Sequence, residues 1–202
     1  EEALQFRFKS LEINQQLSDK NDIAYDYVQI AIIYTTQCNY TRALEYHIKS
    51  LKYAEEMDDE KHKLQSYYFI SDLYLSIENY PKALEYKFKA LEICKKHNNA
   101  FGVAACYFFF GKVYNEEKKY DKTLEYCNKS LKIFDSLHLK EGVGANHAVI
   151  AEAYIGKKDF VKAMNNIKIG LTIFEELVKE NTVYYEALVG NYVILGQLYN
   201  KQ

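Results

Sequence analysis

The sequence predicts an all-α solenoid of about ten helices, stacked as antiparallel pairs, and three observations carry that prediction. The first is a triplet repeated every forty residues: Glu2-Ala3-Leu4, Arg42-Ala43-Leu44, Lys82-Ala83-Leu84, Lys122-Thr123-Leu124 and Lys162-Ala163-Met164. A fixed period of this length marks a stack of supersecondary units. The second is the set of columns that keep register with the triplet. Tyr40, Tyr80, Tyr120 and Phe160 precede it, Leu11, Leu51, Leu91, Leu131 and Leu171 follow it, and Tyr34, Tyr74, Tyr114 and Tyr154 form another column. The third is composition. With 49% hydrophobic residues, one proline and eight glycines, the chain has material for a continuous core and few helix breakers.

The elements follow the period. A partial helix is expected over 1–17, then helices over 22–37, 40–57, 62–77, 80–97, 102–117, 120–137, 142–156, 160–179 and 183–200. They divide one domain, 1–202, into a partial unit 1–21, units 22–61, 62–101, 102–141 and 142–182, and a partial unit 183–202. Because it starts without Met and inside a repeat, the chain reads as a piece of a larger protein.

The second unit shows the logic. Leu64, Tyr67, Tyr68, Ile70, Leu73 and Tyr74 recur at helical spacing and give a broad apolar face. Ile77-Glu78-Asn79-Tyr80 follows as a turn, and Pro81 suits the first turn of a new helix, where its missing N–H is not needed. That helix is expected to turn Ala83, Leu84, Phe88, Leu91 and Ile93 towards its neighbours. Glu85 and Lys89 stand four apart on its outside, as do Glu45 with Lys49 and Glu125 with Lys129; each pair is worth only roughly 0.3–0.5 kcal/mol. Small residues mark close helix approach in two columns, Ala31, Ser71, Gly111, Ala151 and Ser10, Ser50, Ala90, Ser130, Gly170. Tyr199 falls 45 residues after Tyr154, so five extra residues near Lys179 to Val183 lengthen the preceding helix or its turn.

Several classes of function find no support. A net charge of −2 with interspersed signs gives no basic face for nucleic acid. No apolar run reaches the length of a membrane span. Cys38, Cys94, Cys106 and Cys127 lack C-x-x-C pairing and read as small buried hydrophobes, with a slight lean to a reducing, cytoplasmic setting. The five histidines are scattered without metal-ligand spacing, and His147 stands in the aromatic column of Tyr27, Tyr67 and Tyr107. Gly142-Val143-Gly144 lacks the strand and the Lys-Ser of a phosphate loop. No catalytic residue, metal or cofactor is expected.

The pattern Y-x-x-A-L-E-Y-x-x-K-[SA]-L, present as Tyr40 to Leu51 and Tyr80 to Leu91, resembles the tetratricopeptide repeat. It departs from the commonest form in its forty-residue unit and in tyrosine where that form prefers tryptophan. The longer unit resembles the arrays of bacterial signalling proteins, including peptide-responsive regulators of the quorum-sensing type. The resemblance implies a right-handed superhelix whose first helices line a concave groove. Carried over by position, that groove comprises Tyr25, Val28, Gln29, Ile32, Gln65, Tyr68, Phe69, Asp72, Phe108, Phe109, Lys112, Asn115, Val149 and Glu152. The family's carboxylate clamp would fall on Val28, Ile32, Phe69, Ala105 and Phe109, none of which can hold a carboxylate.

These features imply a non-enzymatic scaffold or sensor module of a larger bacterial signalling or transcription-regulatory protein, with an amphipathic or apolar protein segment held in an aromatic groove. The alternatives are a structural spacer or homo-oligomerisation array, whose self-association covers the open ends, and a regulator with phosphatase-like output.

Overall fold

The computed structural model describes residues 2–201; Glu1 and Gln202, the limits of the expected domain, lie outside the described residues. Among the described residues there are ten α-helices, one short 3-10 helix and no strand. In chain order the α-helices are α1 (Glu2–Leu17), α2 (Lys20–Thr36), α3 (Tyr40–Glu56), α4 (Glu60–Ser76) and α5 (Tyr80–Lys96). They continue as α6 (Ala100–Glu116), α7 (Tyr120–Ser136), α8 (Lys140–Gly156), α9 (Phe160–Glu180) and α10 (Tyr185–Tyr199), the 3-10 helix at Thr182–Tyr184 preceding α10. Helices α1–α5 form one compact unit and α6–α10 a second. Within each, every helix packs on the next in sequence.

Each helix from α2 to α8 has 17 residues, and three-residue turns separate them. A turn this short needs a residue in the left-handed region. Ser18, Cys38, Asp58, Glu78, Asn98, Lys118, His138 and Lys158 supply it, with φ between 50° and 61°. After α2 the Cys38 N–H donates to the Thr35 carbonyl at 2.9 Å and the Asn39 N–H to the Tyr34 carbonyl at 2.9 Å. This pair of bonds satisfies carbonyls that a helix end leaves orphaned. It recurs after α4 and α7, where Glu78 and Asn79, then His138 and Leu139, donate in the same way.

The first helices of the pairs begin two residues earlier than the apolar columns suggest, at 20, 60, 100 and 140 instead of 22, 62, 102 and 142. Capping explains three of these starts. Asp19 accepts from the Asn21 and Asp22 N–H groups, Asp59 from His62 and Asn99 from Gly102, so the first turn forms before any apolar residue is required. The five extra residues lie where the spacing puts them. Helix α9 reaches 21 residues, and the 3-10 turn delays α10 to Tyr185.

From α2 to α9 the small columns are buried, while Ser10 on α1 is half-buried. Ala31, Ser71 and Ala151 are 0% exposed, as are Ala43, Ala83, Thr123 and Ala163. A methyl group on Gly111 would overlap the Cys127 sulfur. Around these contacts an aromatic trio repeats. Tyr46 lies 6.0 Å from Tyr27 and 5.6 Å from Tyr34; Tyr86 meets Tyr67 and Tyr74, and Tyr126 meets Tyr107 and Tyr114, at similar distances. Lys49, Lys89 and Lys129 each lie over the central ring while pairing with Glu45, Glu85 and Glu125. In the next pair the chemistry changes at two columns together. His147 replaces the first tyrosine, Asn166 the central one, and the two join through a 2.8 Å hydrogen bond.

Two assignments from the sequence are corrected here. Phe88 does not face inwards: it is 40% exposed, and its neighbour Lys87 is buried instead. Cys38 is exposed, because the turn places it at a left-handed position outside the helix, whereas Cys94, Cys106 and Cys127 are buried.

Two stability outcomes follow. Glu78→Gly relieves a side chain held at positive φ and is expected to raise unfolding free energy by about 0.5–1 kcal/mol in urea titration. Tyr74→Ala or Tyr114→Ala should cost about 3–5 kcal/mol, against less than about 1 kcal/mol for Lys89→Ala; equal losses would refute the trio as a core element.

Candidate functional site

In the first unit, α2 and α4 bring Ile32, Phe69 and Asp72 together at a hollow of about 330 Å³, completed by Thr35, Thr36, His47, Leu73 and Ser76. Tyr25 and Gln65 are exposed outside it, and Gln29 and Tyr68 are half-buried. Val28, expected in the groove, is only 7% exposed and belongs to the core, because α3 covers that face of α2.

Two residues of the second helices were not foreseen: His47 lines this hollow, and Lys87 holds its Asp72. His47 on α3 is buried and stacks on Phe69 with ring centroids 4.8 Å apart and planes at 15°. Burial lowers its imidazole to about 4, so the ring is neutral at neutral pH, and Nδ1 has no hydrogen-bond partner. Lys87 on α5 donates to Asp72 at 3.0 Å, and its ammonium lies 4.7 Å from the Tyr68 ring centroid. The Tyr68 hydroxyl is 3.1 Å from Cys94 Sγ. His47, Lys87, Cys127 and Ile167 occupy one buried column forty residues apart. Its change of chemistry from unit to unit was a signal present in the sequence.

In the second unit the expected residues separate into two environments. Phe109 and Val149 are 7% and 8% exposed and are core, not groove; Val149 packs into one buried cluster with Cys127 of α7 and Ile150. Truncating Phe109 would therefore report on folding. Phe108 lines a hollow of about 430 Å³ walled by Phe101, Phe134, Ala145, Leu177 and Tyr184, with His138, Lys140 and Glu141 at its polar side. Gly142 lets the Phe134 wall of this hollow pack directly against the α8 backbone. A methyl there would meet the Phe134 ring at 2.5 Å.

Asn115 and Glu152 instead line a polar hollow of about 280 Å³ with Glu116, Lys118, Tyr120 and Gln197. Asn115 Nδ2 donates to Glu152 at 3.0 Å. Burial raises the Glu152 carboxyl above its ordinary value, Glu116 adds to the rise, and Lys112, itself exposed, opposes it. No cluster among the described residues has the ligands for a metal ion, and no described helix is long and apolar enough to cross a membrane.

The sequence profile of the tetratricopeptide repeat family matches residues 22–96. That segment is an array of tetratricopeptide repeats. Its columns continue through the remaining helices, and tetratricopeptide repeats are generally non-catalytic protein-interaction modules. No curated protein sequence matches the chain. Solved structures show the same fold at low identity. BtubC (BKLC) from P. vanneervenii is 16% identical, with a TM-score of 0.73 over 99% of this chain and 85% of that one. A Signal Transduction ATPase with Numerous Domains from Pyrococcus horikoshii, which carries a tetratricopeptide repeat sensor, is 21% identical, with a TM-score of 0.76 over 98% of this chain and 32% of that one. A Rap protein complexed with competence and sporulation factor is 18% identical, with a TM-score of 0.69 over 98% and 60% respectively.

The depressed His47 imidazole gives a pH outcome. Its folded value lies below the unfolded 6.5, so the unfolded state binds the proton more readily and stability falls as pH drops from 6.5 towards 4. The loss attributable to His47 is at most about 3 kcal/mol. Urea titrations should show a shallower acid loss for His47→Phe than for the parent; parallel curves would refute the assignment.

Proposed function

We propose that this tetratricopeptide array is a non-catalytic scaffold that holds a segment of another protein, with an apolar side chain of that segment seated in the hollow beside Phe108. The observation that carries the reading is the hollow itself: four apolar walls, Phe101, Phe108, Phe134 and Leu177, edged by charged groups. Concave apolar sites with a few polar groups at the edge suit an amphipathic ligand, the apolar walls supplying affinity and the edge fixing orientation. The hollow beside Phe69 offers a second, smaller seat of the same kind in the first unit.

The setting we propose is a sensor or scaffold module within a larger signalling or regulatory protein. The P. horikoshii neighbour, in which repeats of this fold form a sensor, and the Rap protein, complexed with a factor, support that reading at the level of fold.

The test uses helical peptides selected from a displayed library for binding to the array. Phe101 is 57% exposed, so Phe101→Ala leaves the core intact, and its combination with Phe108→Ala removes two walls. The double variant is expected to bind the selected peptide at least about tenfold more weakly, about 1.4 kcal/mol, with unchanged helical circular dichroism. Equal affinity would place the bound segment elsewhere.

A further inference from the structure

We infer that the hollow beside Phe69 seats a tryptophan side chain, its indole N–H donating into a rim of acceptors. The tryptophan belongs to a partner segment, so the inference rests on the reading that the array holds a segment of another protein. Ile32, Phe69 and Leu73 form the apolar walls of this hollow, and its polar groups are those of Thr35, Thr36, His47, Asp72 and Ser76.

The three hydroxyls have no proton to offer a ligand. Thr35 Oγ1 donates to the Ala31 carbonyl at 2.9 Å, Thr36 Oγ1 to the Ile33 carbonyl at 2.7 Å and Ser76 Oγ to the Asp72 carbonyl at 3.0 Å, so each presents lone pairs alone. The Asp72 carboxylate also accepts only, and its side chain is 60% exposed, open to a ligand. Thr35 and Thr36 stand in the last turn of α2 and Ser76 in that of α4, where the helix dipoles add partial negative charge. The hollow is electronegative, and its complement is an electropositive hydrogen on an apolar body.

The side chains that donate without accepting are those of Lys, Arg and Trp. Lys87 disfavours the first two. It is 5% exposed and already gives its ammonium to Asp72 at 3.0 Å, so a second cation would meet a neutralised carboxylate and a like charge while losing hydration against apolar walls. Indole carries its N–H on a neutral ring and loses far less on leaving water. A phenylalanine would fit the walls but would displace water from the acceptors and give them no partner.

His47 points to the same ligand independently. Its imidazole is 1% exposed, neutral at neutral pH and stacked on Phe69 at 4.8 Å, and its Nδ1 has no hydrogen-bond partner. A buried polar atom left in this way is uncommon, and an N–H seated in the hollow supplies a partner. Phe69, half-buried over that imidazole, gives the indole an aromatic surface to pack on.

Titration of the isotope-labelled chain with N-acetyl-tryptophanamide tests this by NMR. Binding is expected with a Kd on the order of 1 mM, with amide shifts centred on Phe69, Asp72 and Ser76. The chain contains no tryptophan, so every indole N–H resonance belongs to the probe; it should move downfield on binding. The 1-methylindole analogue and N-acetyl-phenylalaninamide should each bind at least about tenfold more weakly, and N-acetyl-argininamide should not compete. Ile32→Lys, at a position 37% exposed, puts an ammonium into the hollow and should abolish binding with an unchanged melting curve. The chain carrying Phe101→Ala and Phe108→Ala should bind the indole as the parent does, so failure at this hollow and failure at the hollow beside Phe108 are separate results. Amides of the hollow that do not move would overturn the inference. So would a phenylalanine or 1-methylindole derivative that binds as well as the indole, which would make the hollow a plain apolar seat. Displacement of the indole by the arginine derivative would equally overturn it, in favour of a cation.

Discussion

A left-handed residue after each helix from α1 to α8 sets the register on which the rest of the array depends. Seventeen helical residues and a three-residue turn return the chain at the same rotation every twenty residues, as the spacing of Ser18, Cys38, Asp58 and their successors records. Only then can side chains forty apart meet equivalent neighbours. One residue more would rotate the following face by about 100° and turn the core outwards. Helix α9 shows the tolerance: its 21 residues exceed the usual 17 by four, close to one full turn. The columns of α10 therefore resume on the same face.

The packing columns were legible because packing is what repeats. Alanine, serine or glycine at 31, 71, 111 and 151 and tyrosine at 34, 74 and 114 answer the same steric demand in each unit, so the alphabet narrows and the period shows. The turns were less legible for the opposite reason. A left-handed position favours glycine, but here it is filled by Ser, Cys, Asp, Glu, Asn, Lys and His, a set with no common chemistry. The backbone bonds of the turn, not the side chain, hold the conformation, and a sequence does not display them. Helix starts were misplaced by two residues for a related reason: a capping aspartate or asparagine begins a helix before its apolar stripe does.

The candidate site was legible only in part. Ile32, Phe69, Asp72, Phe108, Asn115 and Glu152 line three separate hollows, while Val28, Phe109 and Val149 are core. Each helix packs on the preceding and the following one within its unit, so adjacent positions on its remaining arc fall on either side of the boundary between core and surface. Lys87 and Phe88 invert the expectation from hydropathy. Register places residue 87 towards α4, where Asp72 takes the ammonium and Tyr68 shields it, and the phenylalanine turns out. Rotation overrides side-chain preference when the buried charge finds a partner.

Specificity in such a stack must come from positions that the packing does not dictate, and these arise where one unit departs from the others. Residue 142 is one. The Phe134 ring, one wall of the hollow beside Phe108, fills the space in which its side chain would stand, so a glycine is what that packing requires. His47 is another, a polar group in a buried column that ends up stacked against a groove residue. His147 and Asn166 show that even a core trio can be exchanged when both partners change at once, a hydrogen bond replacing an aromatic contact.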